Sequence, residues 1–189
     1  MLQIFRVNQL FNSLLLLPYA LLLNHRLFFV AQQDYPSGTD GLIAGGFEYF
    51  NNQYPLSASL MLILMLFIQA LILNRISIIF RIGNEPNLFP GMIYLIFCSF
   101  FPAFQYLTGL VVGQFFFLLA VYCLFDTYKR HRDIGNLFNS AFWMSLASMY
   151  YTPFFIGFLL ILIGGFILKS MKGRDFLLIL NGLLVPYFL

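Results

Sequence analysis

Residues 109–132 constrain the fold of this chain more than any other stretch of its sequence. Residues 109–125 are almost entirely apolar, and a basic cluster follows them at Lys129, Arg130 and Arg132. Coiled into an α-helix with a rise of about 1.5 Å per residue, such a run approaches the thickness of the hydrocarbon core of a bilayer. Basic residues gather at the cytoplasmic ends of membrane helices, so the stretch predicts both a transmembrane helix and its direction.

The composition extends this prediction to most of the chain. Of its residues 61% are hydrophobic and 9% are charged, whereas soluble domains carry about 25% charged residues. The formal net charge of +3 does not indicate a nucleic-acid partner, because the basic residues stand beside apolar runs rather than on one polar face. Cys98 and Cys123 lie inside apolar runs, which favours small buried hydrophobes over a disulfide.

The apolar runs predict an all-α, polytopic transmembrane helical bundle of about six or seven spans with a cytoplasmic N-terminus. The predicted spans cover residues 7–23, 56–79, 88–106, 109–132, 134–150, 154–168 and an incomplete 176–189. Together they form a single transmembrane domain, 1–189, with a polar, glycine-rich outer loop at about 31–55. Because 176–189 is shorter than the roughly 20 residues that a spanning helix needs, we expect the natural chain to continue beyond Leu189.

Charge supports this orientation at every loop. With alternating spans, nine of the ten Lys and Arg residues fall at inner ends, and Arg26 alone falls outside. The outer loop then holds three carboxylates, Asp34, Asp40 and Glu48. They are the candidate catalytic groups if the protein is an enzyme, as a general base or as ligands that hold a cation against a phosphate. The alternative, which we favour, is that they keep an outer loop soluble.

Two further sets of residues are candidates for contact with lipid headgroups and with neighbouring helices. His25 and Arg26 end the first span, where they either bind a lipid phosphate or extend towards the headgroups, the latter being favoured. Small residues spaced for close helix approach predict packing inside the bundle rather than a dimer face. These residues are Gly109, Gly113, Ala141, Ser145, Gly164 and Gly165.

Polar groups inside the spans predict hydrogen bonds between helices. Gln69, Gln114 and Asn139 each need a partner in hydrocarbon. Spans two to six carry no charged residue near their centres, which argues against a proton-coupled transporter or a charged ion filter. No His/Cys metal-ligand spacing, phosphate-binding glycine loop or nucleophile elbow is present, so we predict neither a metal nor a cofactor.

Two resemblances bear on function. FFFLLAVYCLFDTYKRHRDIGNLFNSAFWMSLASMYYTPFFI (115–156) and KGRDFLLILNGLLVPYFL (172–189) resemble an uncharacterised family of multi-pass inner-membrane proteins of Bacteroidetes. That resemblance implies a location in the bacterial inner membrane and a longer chain, but no activity. The layout of a first helix, an acidic outer loop and a run of helices is also similar to the amino-terminal half of GT-C-type glycosyltransferases, which use lipid-linked sugars.

Two functions follow as expectations. The favoured one is a non-catalytic subunit or scaffold of a cell-envelope membrane complex, whose partners are the lipid bilayer and other membrane-protein subunits. The alternative is a GT-C-like enzyme acting at the outer face. The resemblance places its catalytic carboxylate in the first outer loop, at Asp34 or Asp40, with Glu48 second.

Overall fold

The computed structural model describes residues 13–25, 45–82, 88–129, 135–168 and 173–188. Within these ranges the chain is all-helical, with eight α-helices, two short 3₁₀ segments and no strand. The helices are α1 (Leu16–Leu23), α2 (Gly45–Gln53), α3 (Pro55–Ile79), α4 (Phe89–Phe100), α5 (Gly109–Lys129), α6 (Gly135–Tyr150), α7 (Gly157–Leu168) and α8 (Gly173–Phe188). The all-α prediction is therefore confirmed for the described part of the chain.

Helix α3 shows how the local sequence sets the ends of a helix. It begins with Pro55, whose missing N–H is not needed in a first turn. It ends where Arg81 takes a left-handed conformation, with φ of 52°. The N–H of Arg81 donates to the carbonyl of Ile78 at 3.4 Å, and that of Ile82 donates to the carbonyl of Ser77 at 3.1 Å. These two bonds form a Schellman motif, in which glycine is the usual left-handed residue.

Prolines shorten two of the predicted spans. Phe101, which precedes Pro102, is extended, so α4 ends at Phe100 and a 3₁₀ turn over Pro102–Phe104 follows. Pro153 likewise lies in a 3₁₀ segment, Thr152–Ile156, that precedes α7. Both spans are therefore split into a 3₁₀ segment and a 12-residue α-helix.

Among the described residues, two helical stretches are long and apolar enough to cross a membrane. They are Pro55–Ile79 and Gly109–Thr127, and their hydropathic windows are only 39% buried. The apolar stretches Phe89–Phe100 and Thr152–Ile167 are shorter. Both long helices match spans predicted from the sequence.

The chain divides into two compact units, and the prediction of a single domain over 1–189 stays a prediction. The first unit contains the described residues of 13–25 and 46–111. Its core joins α1, α3 and α4 through Leu16, Leu66 and Leu95. The contacts of Gly91 with Ala70 and Asn74, and of Tyr94 with Gln69, show that α3 and α4 are antiparallel.

The second unit contains the described residues of 112–188. Ala120, Leu137, Ile161 and Ile179 bring α5, α6, α7 and α8 into one core. Contacts between neighbouring helices give their directions. Helix α6 runs antiparallel to α5, α7 runs parallel to α5, and α8 runs parallel to α6. The second unit is thus a four-helix bundle whose helices alternate in direction.

The helix directions in the second unit rest on paired contacts between neighbouring helices. Antiparallel α5 and α6 place Ala120 against Ser140 and Gly113 against Ala147. Along α5, Gly113 lies against Phe154 of the 3₁₀ segment before α7 and Leu124 lies against Gly164 of α7, so α5 and α7 are parallel. Parallel α6 and α8 place Phe138 against Gly182 and Ser148 against Tyr187.

Candidate functional site

The candidate catalytic carboxylates lie largely outside the described residues. Asp34 and Asp40 are outside them, as is Arg26, and the side chain of Glu48 is not described although its backbone lies in α2. His25 is described: it is exposed, and its Nδ1 lies 2.8 Å from the carbonyl oxygen of Leu22 at the end of α1. The chemistry assigned to the outer loop therefore stays a prediction.

Two of the glycines predicted to pack helices, Gly113 and Gly164, face neighbouring helices in the second unit. A Cβ added to Gly113 would lie 3.0 Å from the carbonyl oxygen of Ala147, and one added to Gly164 would lie 2.8 Å from Leu124. Ala141 and Ser145 are buried on α6. Gly165 in the second unit and Gly109 in the first are also buried.

One close helix approach in the second unit involves a glycine that the sequence did not single out. A Cβ on Gly182 of α8 would meet the carbonyl oxygen of Phe138 at 2.6 Å and the Cβ of Ala141 at 3.0 Å. One turn further along α6, the hydroxyl of Ser145 donates to the carbonyl of Leu183 at 2.7 Å. An isolated glycine in the apolar run of α8 was the available signal.

Serines of α6 add hydrogen bonds to its neighbouring helices. The hydroxyls of Ser148 and Tyr187 lie 2.8 Å apart, so one donates to the other, and Ser140 donates to the carbonyl of Ala120 at 2.9 Å. Hydroxyls that bond to a facing backbone hold membrane helices at close range. The polar side of α6 is therefore used in packing.

In the first unit, Gln69 joins three segments of the chain. It is fully buried, its Nε2 donates to the carbonyl of Val111 at 2.7 Å, and its Oε1 accepts from the hydroxyl of Tyr94. This is the interhelical bonding that the sequence predicted for Gln69. Of the other two polar residues, Asn139 is exposed, and the buried Oε1 of Gln114 has no hydrogen-bond partner among the described atoms.

Two buried asparagines complete the polar contacts of the first unit. Asn74 accepts from the N–H of Gly91 at 2.7 Å, and Asn51 donates to the carbonyls of Phe47 and Leu107 at 2.7 and 2.8 Å. Asn51 thereby ties α2 to the segment that precedes α5. The bonds of Asn51 to Leu107 and of Asn74 to Gly91 could not be predicted from the sequence, since these partners are backbone groups far along the chain.

A groove of about 660 Å³ lies between α5 and α7 in the second unit. Its α5 wall is formed by Val121, Leu124 and Phe125, and its α7 wall extends to Ile167. Every residue that lines it is apolar or glycine. Such a site offers no group for acid–base chemistry and suits a hydrocarbon occupant.

Large apolar side chains also form an exposed stripe along α4 in the first unit. Phe89, Ile93, Phe97 and Phe100 are all exposed, and their spacing of four, four and three residues places them on one helix face. Aromatic residues on an uncovered apolar face are typical of a surface that contacts lipid or another protein.

Among the described residues, no group of three or more His, Cys, Asp or Glu side chains comes together as a metal site. Comparisons of the chain with protein-family models, with curated proteins and with solved structures gave no match.

Proposed function

We propose that this protein is a multi-pass integral protein of a bacterial inner membrane and serves as a non-catalytic subunit of a membrane assembly. The observation that carries the proposal is the apolar outer surface of its helices. On α7, for example, Leu159, Ile163 and Phe166 are all more than half exposed. Water would penalise such a surface, whereas lipid or a partner helix accepts it.

The directions of the helices in the second unit support crossings by more than the two long helices. Because α5 and α7 are parallel, the carboxyl-terminal ends of these helices, Lys129 and Leu168, lie at the same end of the second unit. In the sequence, Lys169 and Lys172 follow α7. Tyr150 and Tyr187 belong to the other end. Basic residues after the ends of α5 and α7 follow the bias of cytoplasmic ends, and tyrosines near the ends of α6 and α8 suit a membrane interface.

Charge favours a crossing by α4 as well. If α3 crossed and α4 did not, the basic residue Arg81 after α3 and the basic cluster after α5 would lie on opposite sides of the membrane. A crossing by α4 returns the chain and places both on the cytoplasmic side. The 12 residues of α4 give a length of about 18 Å, so its crossing requires local thinning of the bilayer or the added length of the following 3₁₀ turn.

The subunit role rests on the exposed stripe of α4. A helix too short to span an ordinary bilayer is mismatched to the lipid around it. Contact with another protein along its apolar face reduces the cost of that mismatch. We propose that Phe97 and Phe100, at the exposed end of this stripe, contact a helix of a partner subunit. No charged side chain lies within α4, so the partner face is expected to be apolar too.

Two measurements on the full chain in its native membrane test this proposal. The chain is expected to stay with the membranes after alkaline carbonate extraction; its release would contradict membrane integration. A photo-crosslinking amino acid at Phe97 is expected to give one discrete protein adduct, whereas the same group at Leu177, exposed on α8, should give none. Adducts with lipid alone at both positions would contradict the subunit role.

The enzyme alternative differs from the subunit role in that it requires the carboxylates of the outer loop. Simultaneous replacement of Asp34, Asp40 and Glu48 by Asn or Gln should leave the cellular phenotype of the protein intact if it is a structural subunit. Loss of that phenotype with normal protein levels would instead favour a GT-C-like activity at the outer face.

A further inference from the structure

Two buried oxygen atoms of the first unit have no hydrogen-bond partner among the residues that the structure describes. They are Oδ1 of Asn51, on α2, and Oγ1 of Thr108, the residue before α5. The two side chains are only 4% and 6% exposed. Because folded proteins satisfy almost all of their buried polar atoms, the pair points to a ligand that supplies the missing hydrogen bonds.

The nitrogen of the Asn51 amide shows where these oxygens lie. Its Nδ2 donates to the carbonyl of Phe47 at 2.7 Å and to the carbonyl of Leu107 at 2.8 Å. Two carbonyl partners use both hydrogens of the amide and identify the other amide atom as the oxygen, an acceptor. Because Thr108 directly follows Leu107, the amide of Asn51 and the hydroxyl of Thr108 belong to the same junction at the start of α5.

The chemistry of this junction selects a small neutral ligand. The first N–H groups of α5 give its amino-terminal end a partial positive charge, which disfavours a cation. The Asn51 oxygen can only accept a hydrogen bond, which disfavours an anion. Neither oxygen is accessible from the surface, so an alcohol or a sugar is too large. Water remains, since one molecule can donate to the Asn51 oxygen and accept from the Thr108 hydroxyl.

We infer that one buried water molecule bridges the Asn51 amide oxygen and the Thr108 hydroxyl. The water joins α2 to the start of α5, alongside the direct bond from Asn51 to the Leu107 carbonyl. Asn51 is thereby satisfied at both ends of its amide. The inference depends neither on the proposed membrane location nor on the partner at α4, because it uses only contacts within the first unit.

An experimental structure of the full chain, at a resolution that shows ordered water, tests the inference directly. Density for one water is expected within about 3 Å of both the Asn51 oxygen and the Thr108 hydroxyl. Thr108→Val should lose this density, whereas Thr108→Ser, which keeps the hydroxyl, should retain it. The absence of density at the bridging position in the wild type, or a direct hydrogen bond from Thr108 to the Asn51 oxygen, would overturn the inference.

The sign of a stability change provides a second test. Thr108→Val keeps the shape of the side chain and removes the hydroxyl. Because the hydroxyl bonds to the water, its loss should lower the folding equilibrium constant about fivefold in denaturant unfolding. Thr127→Val is the control: the buried Thr127 hydroxyl bonds to the carbonyl of Cys123 in its own helix, and its loss should not lower the constant. Unchanged or increased stability of Thr108→Val, as expected for removal of an unpartnered hydroxyl, would overturn the inference.

Discussion

At the residue scale, Gln69 shows what a buried amide contributes to the packing of helices. Replacement by Met keeps the volume but leaves the Val111 carbonyl and the Tyr94 hydroxyl without their bonds to the amide. Hydrogen bonds between membrane helices are worth about 0.6 kcal/mol each on average, so Gln69→Met should cost about 1 kcal/mol. Thermal unfolding in detergent measures this loss. Asn139→Met, at an exposed position, is the control and should not lower stability.

Replacement by glycine should stabilise the fold at Arg81, just after α3, and destabilise it at Arg75, inside α3. Arg81 has a φ of 52°, a conformation that costs an L-residue about 1 kcal/mol and glycine almost nothing. Arg81→Gly should therefore raise the unfolding free energy by about 0.5–1 kcal/mol. Arg75, exposed in the interior of the same helix, should lose about 1 kcal/mol when replaced by Gly. Destabilisation by both changes, measured by denaturant unfolding, would rule out strain at Arg81.

The buried amides also show how far hydrogen bonds could be predicted from the sequence. A glutamine in the middle of an apolar run must find a partner, and so the bonding of Gln69 was predictable. Which atom it would bond was not, because Val111 is 42 residues away. Asn51 and Asn74 bond backbone groups 56 and 17 residues away. A backbone partner leaves no mark in the sequence, and only the packed fold shows it.

At the scale of elements, the approach of α8 to α6 depends on Gly182. An Ala methyl there would meet the Phe138 carbonyl oxygen at 2.6 Å, and a backbone atom cannot move away as a flexible side chain does. Overpacking of this kind costs about 1–3 kcal/mol. Gly182→Ala should therefore lower the melting temperature and free the carboxyl-terminal helix for proteolysis. At Gly173, in the same helix, an added Cβ meets nothing within 4 Å; Gly173→Ala should leave both readouts unchanged.

The helices themselves were largely predictable, and their interruptions explain where the prediction was too long. The apolar runs at 56–79 and 134–150 predict α3 and α6 to within a residue, because backbone groups in hydrocarbon have no better solution than a helix. The span predicted at 88–106 ends early at Pro102, where the preceding residue is pushed out of the helical region. The groove between α5 and α7 was not predictable, since it arises from how two helices meet.

At the scale of the whole molecule, the number of crossings decides the topology. If only the two long helices cross, α3 and α5, residues before α3 and after α5 lie on the same side of the membrane. If α4, α6 and α7 cross as well, there are five crossings between α2 and α8, and these two helices lie on opposite sides. Tyr49 on α2 and Arg174 on α8 are both exposed and therefore suit a chemical test.

Single-cysteine labelling in intact cells distinguishes the two topologies. In a Cys98→Ala/Cys123→Ala background, Tyr49→Cys should react with a membrane-impermeant maleimide, and Arg174→Cys should react only after the cells are permeabilised. Reaction of both in intact cells would mean an even number of crossings and would remove α4, α6 or α7 from the membrane. The reverse pattern, with Arg174→Cys reactive in intact cells, would invert the orientation. It would also place the basic end of the second unit outside, against the charge bias that supports every assignment of sides.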